Sequence, residues 1–111
     1  PDSLMKNFCN IVEKKKNHIS SSNEGAAVGI GIGYNLAKGK VPLVYLQNSG
    51  LGNIINPLTS LCIPHGIYPF LVIGHRHTLP QHKVMGEVDE DILKLIGYEN
   101  YIIIRGDNNV K

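Results

Sequence analysis

Residues 41–53 read Val-Pro-Leu-Val-Tyr-Leu-Gln-Asn-Ser-Gly-Leu-Gly-Asn, and this stretch determines the fold class. Its first part, Val41–Leu46, is a nearly continuous apolar run, which is typical of a buried strand in a parallel sheet. The run gives way to a polar, glycine-rich turn at Asn48–Asn53. A helix is predicted from Ile54 to Leu61, with Pro57 near its first turn. The stretch therefore predicts one strand–turn–helix unit of an α/β fold.

The rest of the chain continues the alternation of strands with helices. Further strands are predicted at Ile19–Ser22, Pro69–Gly74 and Tyr101–Ile104. Helices are predicted at Leu4–Lys15, Glu24–Ala37 and Asp89–Ile96, and the last two are closed by Gly39 and Gly97. This order predicts a single α/β domain over residues 1–111, with a parallel sheet flanked by helices and right-handed crossovers.

The composition argues against several classes of protein. A net charge of +2 is too small to indicate binding to nucleic acid or to an anionic membrane. No apolar run approaches the length that spans a bilayer. Cys9 and Cys62 are far apart and form no C-x-x-C motif, so we expect two buried free thiols in a reducing, cytoplasmic compartment.

Glu24 is the strongest candidate for chemistry in the sequence. It stands between the predicted strand that ends at Ser22 and the helix of small residues that follows. A carboxylate at this junction has no obvious packing role. It lies at the carboxyl end of a strand, where open α/β sheets bind their ligands.

Four small residues form a stripe along the helix that begins at Glu24. Gly25, Gly29, Gly33 and Ala37 are four residues apart and therefore share one helix face. The spacing is not the G-x-G-x-x-G dinucleotide fingerprint, and the glycines lie inside the helix instead of at its start. Each glycine costs about 1 kcal/mol relative to alanine, so we expect close packing against a sheet, a partner helix or a ligand.

Several blocks of the sequence together resemble thiamine diphosphate (ThDP) enzymes. The blocks are Ser22–Ala27, Gly39–Pro42, Val44–Asn53 and Asn56–Leu61, with shorter elements at Gly74–Arg76 and Pro80–His82. They resemble the pyrimidine-binding domain of phosphonopyruvate decarboxylases, and the Gln-Asn-Ser-Gly-Leu-Gly-Asn turn is shared with sulfopyruvate decarboxylase α subunits. The resemblance implies a three-layer α/β/α domain whose first strand and helix would precede Pro1.

The resemblance also implies roles for individual residues. Glu24 would hydrogen-bond a ring nitrogen of the cofactor's aminopyrimidine and share a proton with it. The loop beside the cofactor would consist of Gln47, Asn48, Ser49, Gly50, Gly52 and Asn53, although these residues alone also fit an ordinary strand-to-helix turn. Asp2 and Ser3 match a turn that faces the active site in the family, or they simply cap a helix.

Two further residues are candidates for binding the acidic substrate. Arg76 suits a bidentate contact with a phosphonate or carboxylate, and a structural ion pair is the alternative. His82 is a candidate for substrate binding or proton transfer, and otherwise a surface histidine. We expect no metal site at His75 and His77, because no cysteine or carboxylate completes an obvious ligand set and Arg76 between them disfavours a cation.

The resemblance predicts decarboxylation of the 2-oxo acid phosphonopyruvate to phosphonoacetaldehyde and CO2. The diphosphate and Mg2+ ligands would lie in a diphosphate-binding domain outside this chain, in the same or a neighbouring subunit. We therefore expect a homo-oligomer, and no catalysis from residues 1–111 alone. Two alternatives stay open: a sulfopyruvate decarboxylase α subunit that needs a partner chain, and a non-catalytic assembly domain with the same fold.

Overall fold

Three parallel strands form the centre of the computed structural model, which describes residues 3–15 and 18–105. The strands are β1 (Leu43–Gln47), β2 (Phe70–His75) and β3 (Tyr101–Arg105), in the order β1-β2-β3. Leu46 lies opposite Ile73, which lies opposite Ile103. All three strands were predicted from their apolar runs, and the parallel sheet confirms the predicted α/β class.

Helical elements connect the strands. The helices are α1 (Ser3–Val12), α2 (Glu24–Lys38), α3 (Ile55–Pro57), α4 (Ile63–His65) and α5 (Pro80–Ile96). A 3₁₀ segment (Asn48–Ile54) follows β1 directly, and a π-helical stretch (Leu58–Cys62) joins α3 to α4. Gly39 and Gly97 end α2 and α5 in the left-handed conformation, with φ of 69° and 79°, as their sequence positions predicted.

The core lies between one face of the sheet and helices α2 and α5. Val44 and Leu46 on β1 are buried in the same cluster as Val28 of α2 and Leu93 of α5. Full burial of such a side chain stabilises the fold by about 1.5–3 kcal/mol. On the other face, Phe8 of α1 packs edge-on against Tyr45, with ring centroids 5.3 Å apart. Helices therefore flank both faces of the sheet.

The predicted strand at Ile19–Ser22 is wrong. Residues 18–21 have no regular structure, and Ser22 and Asn23 form a bend before α2. A strand needs hydrogen bonds to a neighbouring strand, and within the described residues this segment is paired with none. It lies across a cleft from the free edge of β1 instead.

Helix α5 begins nine residues before the predicted start at Asp89. The structure starts it at Pro80, whose fixed φ suits the first helical position. As a result, Asp89 is an interior residue of the helix and not its first. Helix α1 also differs from the prediction, because it ends at Val12 and residues 13–15 form turns.

The glycine stripe on α2 packs only at its first residue. A β-carbon added at Gly25 would lie 3.0 Å from the Asn53 carbonyl oxygen, whereas one added at Gly29 or Gly33 would meet nothing within 4 Å. It is Gly31, on another face of the helix, that lies against Pro42 and Val44, so that face and not the stripe packs on the sheet. The sequence predicted that the stripe packs closely against a sheet, a partner helix or a ligand. Gly29 and Gly33 do not pack against the sheet of this chain, so that part of the prediction is wrong.

Candidate active site

Glu24 is the first residue of α2, and the helix begins there for a clear local reason. Asn23 has an extended backbone, and its Oδ1 accepts a hydrogen bond from the Ala26 backbone N–H at 2.8 Å. This is the preferred arrangement of a helix N-cap. The Glu24 carboxylate therefore lies at the positive end of the α2 dipole, which stabilises a negative charge.

The carboxylate of Glu24 is held by the 3₁₀ segment. Asn53 donates a hydrogen bond from Nδ2 to Glu24 Oε1 at 2.8 Å. Gly50 lies so close that a β-carbon on it would be 2.5 Å from Oε2 and 2.6 Å from Cδ of Glu24. Oε2 lies against Gly50 and forms no hydrogen bond with any described residue, so only one of the two carboxylate oxygens has a hydrogen-bond partner there.

The remaining loop residues of the predicted site differ in how far they are exposed to solvent. Ser49, Gly52 and Asn53 are exposed, and Gln47, the last residue of β1, is half-buried. Asn48 is completely buried, and its amide points to β2 and α5. The structure thus brings Gly50 and Asn53 to Glu24, whereas any contribution of Asn48 to a ligand would pass through the backbone of the segment.

The predicted substrate residues lie on other elements. Arg76 follows β2, is half-buried, and forms no ion pair with any described residue, so the structural ion pair suggested as its alternative is not found. His82 is half-buried in the first turn of α5, where its backbone N–H donates to the Leu79 carbonyl at 2.8 Å. Asp2 lies outside the described residues, and Ser3 is the first residue of α1.

A buried pair of ionisable side chains was missed by the sequence reasoning. Nδ1 of His75 lies 2.6 Å from Oδ2 of Asp89, and both side chains are almost fully buried. Half of this pair could be recognised in the sequence, because His75 lies at the end of a buried strand. Asp89 could not be recognised, because it was interpreted as the start of a helix.

A cleft lies beside the 3₁₀ segment and not at it. This edge cleft, of about 690 Å³, runs between residues 18–23, α2 and the free edge of β1. Glu24 lines it, but no residue of the 3₁₀ segment does. In its wall, His18 Nε2 and the Tyr45 hydroxyl are 2.6 Å apart. Burial raises the pKa of Tyr45, so the hydroxyl stays neutral at physiological pH.

Two kinds of feature are absent from residues 3–15 and 18–105. No group of three or more His, Cys, Asp or Glu side chains there is arranged to hold a metal ion. None of the helices in that part combines the length and apolarity needed to cross a bilayer.

Both cysteines are free thiols, as expected, with Cys62 buried and Cys9 partly so.

Comparison with curated proteins finds decarboxylases. The chain is 36% identical over 107 residues to the sulfopyruvate decarboxylase subunit alpha of Methanocaldococcus jannaschii, which covers 91% of this chain and 63% of that protein. It is 38% identical over 89 residues to the phosphonopyruvate decarboxylase of Streptomyces viridochromogenes, covering 74% of this chain and 22% of that protein. The phosphonopyruvate decarboxylase of Streptomyces hygroscopicus is 36% identical over 96 residues, with 80% and 23% covered.

These relatives confirm the resemblance that the sequence blocks indicated. The chain spans between 22% and 63% of the length of the relatives described above. No family model matches the chain, and no solved structure matches it. The similarity therefore comes from partial matches to decarboxylases, and the site geometry is argued from this chain alone.

Proposed function

We propose that the full-length protein is a ThDP-dependent decarboxylase of phosphonopyruvate and that this chain supplies the aminopyrimidine-binding half of its active site. The observation that carries the proposal is the Glu24 carboxylate, which is held by Asn53 and Gly50 while its Oε2 has no hydrogen-bond partner among the described residues. The match to the Methanocaldococcus protein covers 91% of the chain, so it includes α2 and the 3₁₀ segment, which lie far from its ends.

The residues present fit the cofactor's aminopyrimidine ring. When bound, ThDP supplies an electron sink for the charge that remains on the 2-oxo carbon as CO2 leaves. Glu24 would hold the shared proton at Oε2, the oxygen to which no described residue donates a hydrogen bond. Asn53 fixes the opposite oxygen and so orients the carboxylate without competing for that proton. Gln47, Ser49 and Gly52 would line the cofactor through the exposed side of the segment.

Arg76 and His82 are proposed to bind the substrate's acid groups. Arg76 presents a planar guanidinium that can contact a phosphonate through two hydrogen bonds, and none of its charge is neutralised by a described residue. His82 adds a second donor at the start of α5. Asp2 and Ser3 are kept as further candidates at the start of the chain.

The proposal requires a partner for this chain. The diphosphate and Mg2+ ligands would come from a diphosphate-binding domain in the same or a neighbouring subunit of a cytoplasmic homo-oligomer. Two of the curated relatives are themselves named as alpha subunits, which supports an assembly of more than one chain.

The direct test is CO2 release by the full-length protein. It would be incubated with ThDP and Mg2+ and given phosphonopyruvate or sulfopyruvate in parallel reactions. Release from phosphonopyruvate alone is the expected result. No release from either acid, with candidate partner chains added, would overturn the proposal in favour of a non-catalytic assembly domain.

A second candidate is the sulfopyruvate decarboxylase α subunit, and one observation favours it. The match to the Methanocaldococcus subunit covers far more of that relative than the matches to the Streptomyces enzymes do, 63% against 22% and 23%. Release of CO2 from sulfopyruvate, appearing only when a separate diphosphate-domain chain is added, would establish this candidate.

Glu24→Gln separates the catalytic proposals from the non-catalytic one. Glutamine keeps an oxygen that can accept from Asn53 but loses the carboxylate that holds a proton. We expect CO2 release to fall by about 10²–10⁴-fold, the usual contribution of a positioned acid–base group. The free energy of unfolding should change little, and Glu99→Gln, at an exposed carboxylate, serves as the matched control. An unchanged rate of CO2 release in Glu24→Gln would overturn the catalytic role proposed for Glu24.

A further inference from the structure

A buried polar cluster adjoins the start of the 3₁₀ segment. It consists of Asn48, His75 and Asp89, which are 0%, 5% and 2% exposed. They are the only buried amide, imidazole or carboxylate side chains in the part of the chain the structure describes. Each comes from a different element: the 3₁₀ segment, the end of β2 and the middle of α5.

The hydrogen bonds of the cluster converge on one carboxylate oxygen. Asp89 Oδ2 accepts from Asn48 Nδ2 at 3.0 Å and from His75 Nδ1 at 2.6 Å. When the Asp89 carboxylate is ionised it can only accept, and His75 Nδ1 is then the donor of the second bond. Asn48 Nδ2 also donates to the Arg76 carbonyl at 2.9 Å. A flipped amide would turn an oxygen toward both of these acceptors, so the orientation of Asn48 is determined.

Gly86 allows α5 to come close enough for this cluster to form. A β-carbon on Gly86 would lie 2.1 Å from the His77 β-carbon and 2.7 Å from the Arg76 carbonyl oxygen. Asp89 follows Gly86 by three residues, which is about one helical turn. The contact at Gly86 therefore sets how near the Asp89 carboxylate lies to Asn48.

The same short segment carries the contacts of Glu24. Asn48 begins it, Gly50 touches the Glu24 carboxylate, and Asn53 donates to that carboxylate. Burial of Leu51 and Ile54 attaches the segment to the core, but apolar packing has no preferred direction. The directional contacts at its start are the hydrogen bonds of Asn48.

We propose that Asp89 is a positioning residue for Glu24. Through Asn48, Asp89 fixes the 3₁₀ segment, and the segment fixes the Glu24 carboxylate. The functional part of this statement rests on the proposed role of Glu24 toward ThDP. The positional part concerns only contacts within this chain.

The first readout follows the Asn53 side-chain amide and needs no cofactor. The full-length protein would be labelled with ¹⁵N-asparagine, and the Asn53→Ala spectrum would assign the resonance. We expect Asp89→Leu and Asn48→Ala to shift this resonance. Asp89→Asn keeps an oxygen for Asn48 but replaces Oδ1, which accepts from the Glu90 backbone N–H, so it should shift the resonance less than Asp89→Leu does. Leu93→Ala is the matched control, since it removes a buried side chain of α5 outside the cluster.

The second readout is ThDP affinity in a double-mutant cycle. Asp89→Leu should weaken binding by about tenfold in the wild-type background, the scale of one lost hydrogen bond. In the Asn53→Ala background the same change should have a smaller effect, because the hydrogen bond from the segment to Glu24 is already removed and only the Gly50 contact remains.

The outcomes separate the two proposals. An unmoved Asn53 resonance in folded Asp89→Leu and Asn48→Ala variants, or independent effects on ThDP affinity, would overturn the positioning role. If Asp89→Leu does not fold, Asn48→Ala decides, since it keeps the His75–Asp89 pair. If the wild-type protein binds no ThDP while the Asn53 resonance still responds to Asp89, the proposed function fails and the positioning role stands.

Discussion

The carboxylate of Glu24 and the backbone of Gly50 are in contact, so Gly50→Ala is the most direct perturbation of the candidate site. The added methyl group would lie 2.5 Å from Glu24 Oε2, and either the carboxylate or the 3₁₀ segment must move. We expect the free energy of unfolding to fall by about 1–3 kcal/mol, as for other overpacked sites. CO2 release by the full-length protein should fall by about a hundredfold, the effect of a misplacement near 1 Å.

Gly52→Ala is the control for the stability measurement. It adds the same methyl group to the same segment, at a position where no atom lies within 4 Å. Its free energy of unfolding, measured by urea denaturation, should stay within about 0.5 kcal/mol of wild type. Equal losses in the two variants would contradict the steric contact with Glu24 and indicate a general effect of stiffening the segment.

The sequence predicted the role of site residues that face solvent better than the role of those that are buried. Glu24 stands out because a carboxylate in a row of small residues has no packing partner in sequence. Asn48 was placed with the cofactor loop on the strength of its neighbours. Its amide instead points to Asp89, and that direction depends on where α5 packs. No local pattern encodes the distance between α5 and the end of β2, which Gly86 sets.

At the scale of elements, helix α2 carries a prediction about its exposed glycines. Gly29 and Gly33 contact no described atom within 4 Å, so alanine can be accommodated at both. Each Gly→Ala change should raise the free energy of unfolding by about 1 kcal/mol, through helix propensity alone. Gly25→Ala should lower it instead, because the new β-carbon would lie 3.0 Å from the Asn53 carbonyl oxygen. Urea denaturation of the three variants tests the ranking.

The same variants test the expected homo-oligomer. If the stripe of Gly29, Gly33 and Ala37 is covered by another subunit, Gly29→Ala and Gly33→Ala would weaken association of the full-length protein while they stabilise the chain. Sedimentation velocity measures this association. Unchanged assembly in both variants would mean that the stripe is not an interface and that the glycines have no packing role in the assembly.

The ends of helices and strands were predictable where one residue determines them. They were not predictable where they depend on another element that packs or pairs with the segment. Gly39 and Gly97 end their helices in the left-handed conformation, which glycine tolerates best. The segment 18–22 has strand-like residues, yet within the described chain it lacks a strand to pair with. The start of α5 was missed because Gly86 and Pro80 weaken the helical pattern, although Pro80 is compatible with a first turn.

At the scale of the whole molecule, buried hydroxyl and thiol groups make stability depend on alkaline pH. Burial raises the pKa of Tyr98, Tyr45, Tyr101 and Cys62 above their usual values. The unfolded chain therefore loses these protons first, and unfolding releases protons. The contribution of these groups to the free energy of unfolding should be fully present at neutral pH and fall as the pH rises through about 9–10. Urea denaturation across this range tests the direction.

Tyr98→Phe should change that alkaline dependence in a specific way. The Tyr98 hydroxyl is buried and donates to the Pro69 carbonyl, which joins the end of α5 to the start of β2. At neutral pH its removal leaves a buried carbonyl without a donor and should cost about 1–3 kcal/mol. Above about pH 10 the wild-type protein loses stability by releasing the Tyr98 proton on unfolding, whereas the variant has no such proton to release. The two curves of unfolding free energy against pH should therefore converge.

Tyr34→Phe is the control for this convergence, because the Tyr34 hydroxyl forms no hydrogen bond with any described residue. Because Tyr98 is still present, the variant should keep the alkaline loss of stability that the wild-type protein shows. Parallel curves for Tyr98→Phe and the wild-type protein would assign the alkaline loss to other groups. Convergence for Tyr98→Phe alone would show that the Tyr98 hydroxyl is the main source of the loss of stability at alkaline pH. The same burial has both effects, because it makes the hydrogen bond to Pro69 necessary and opposes ionisation of the hydroxyl.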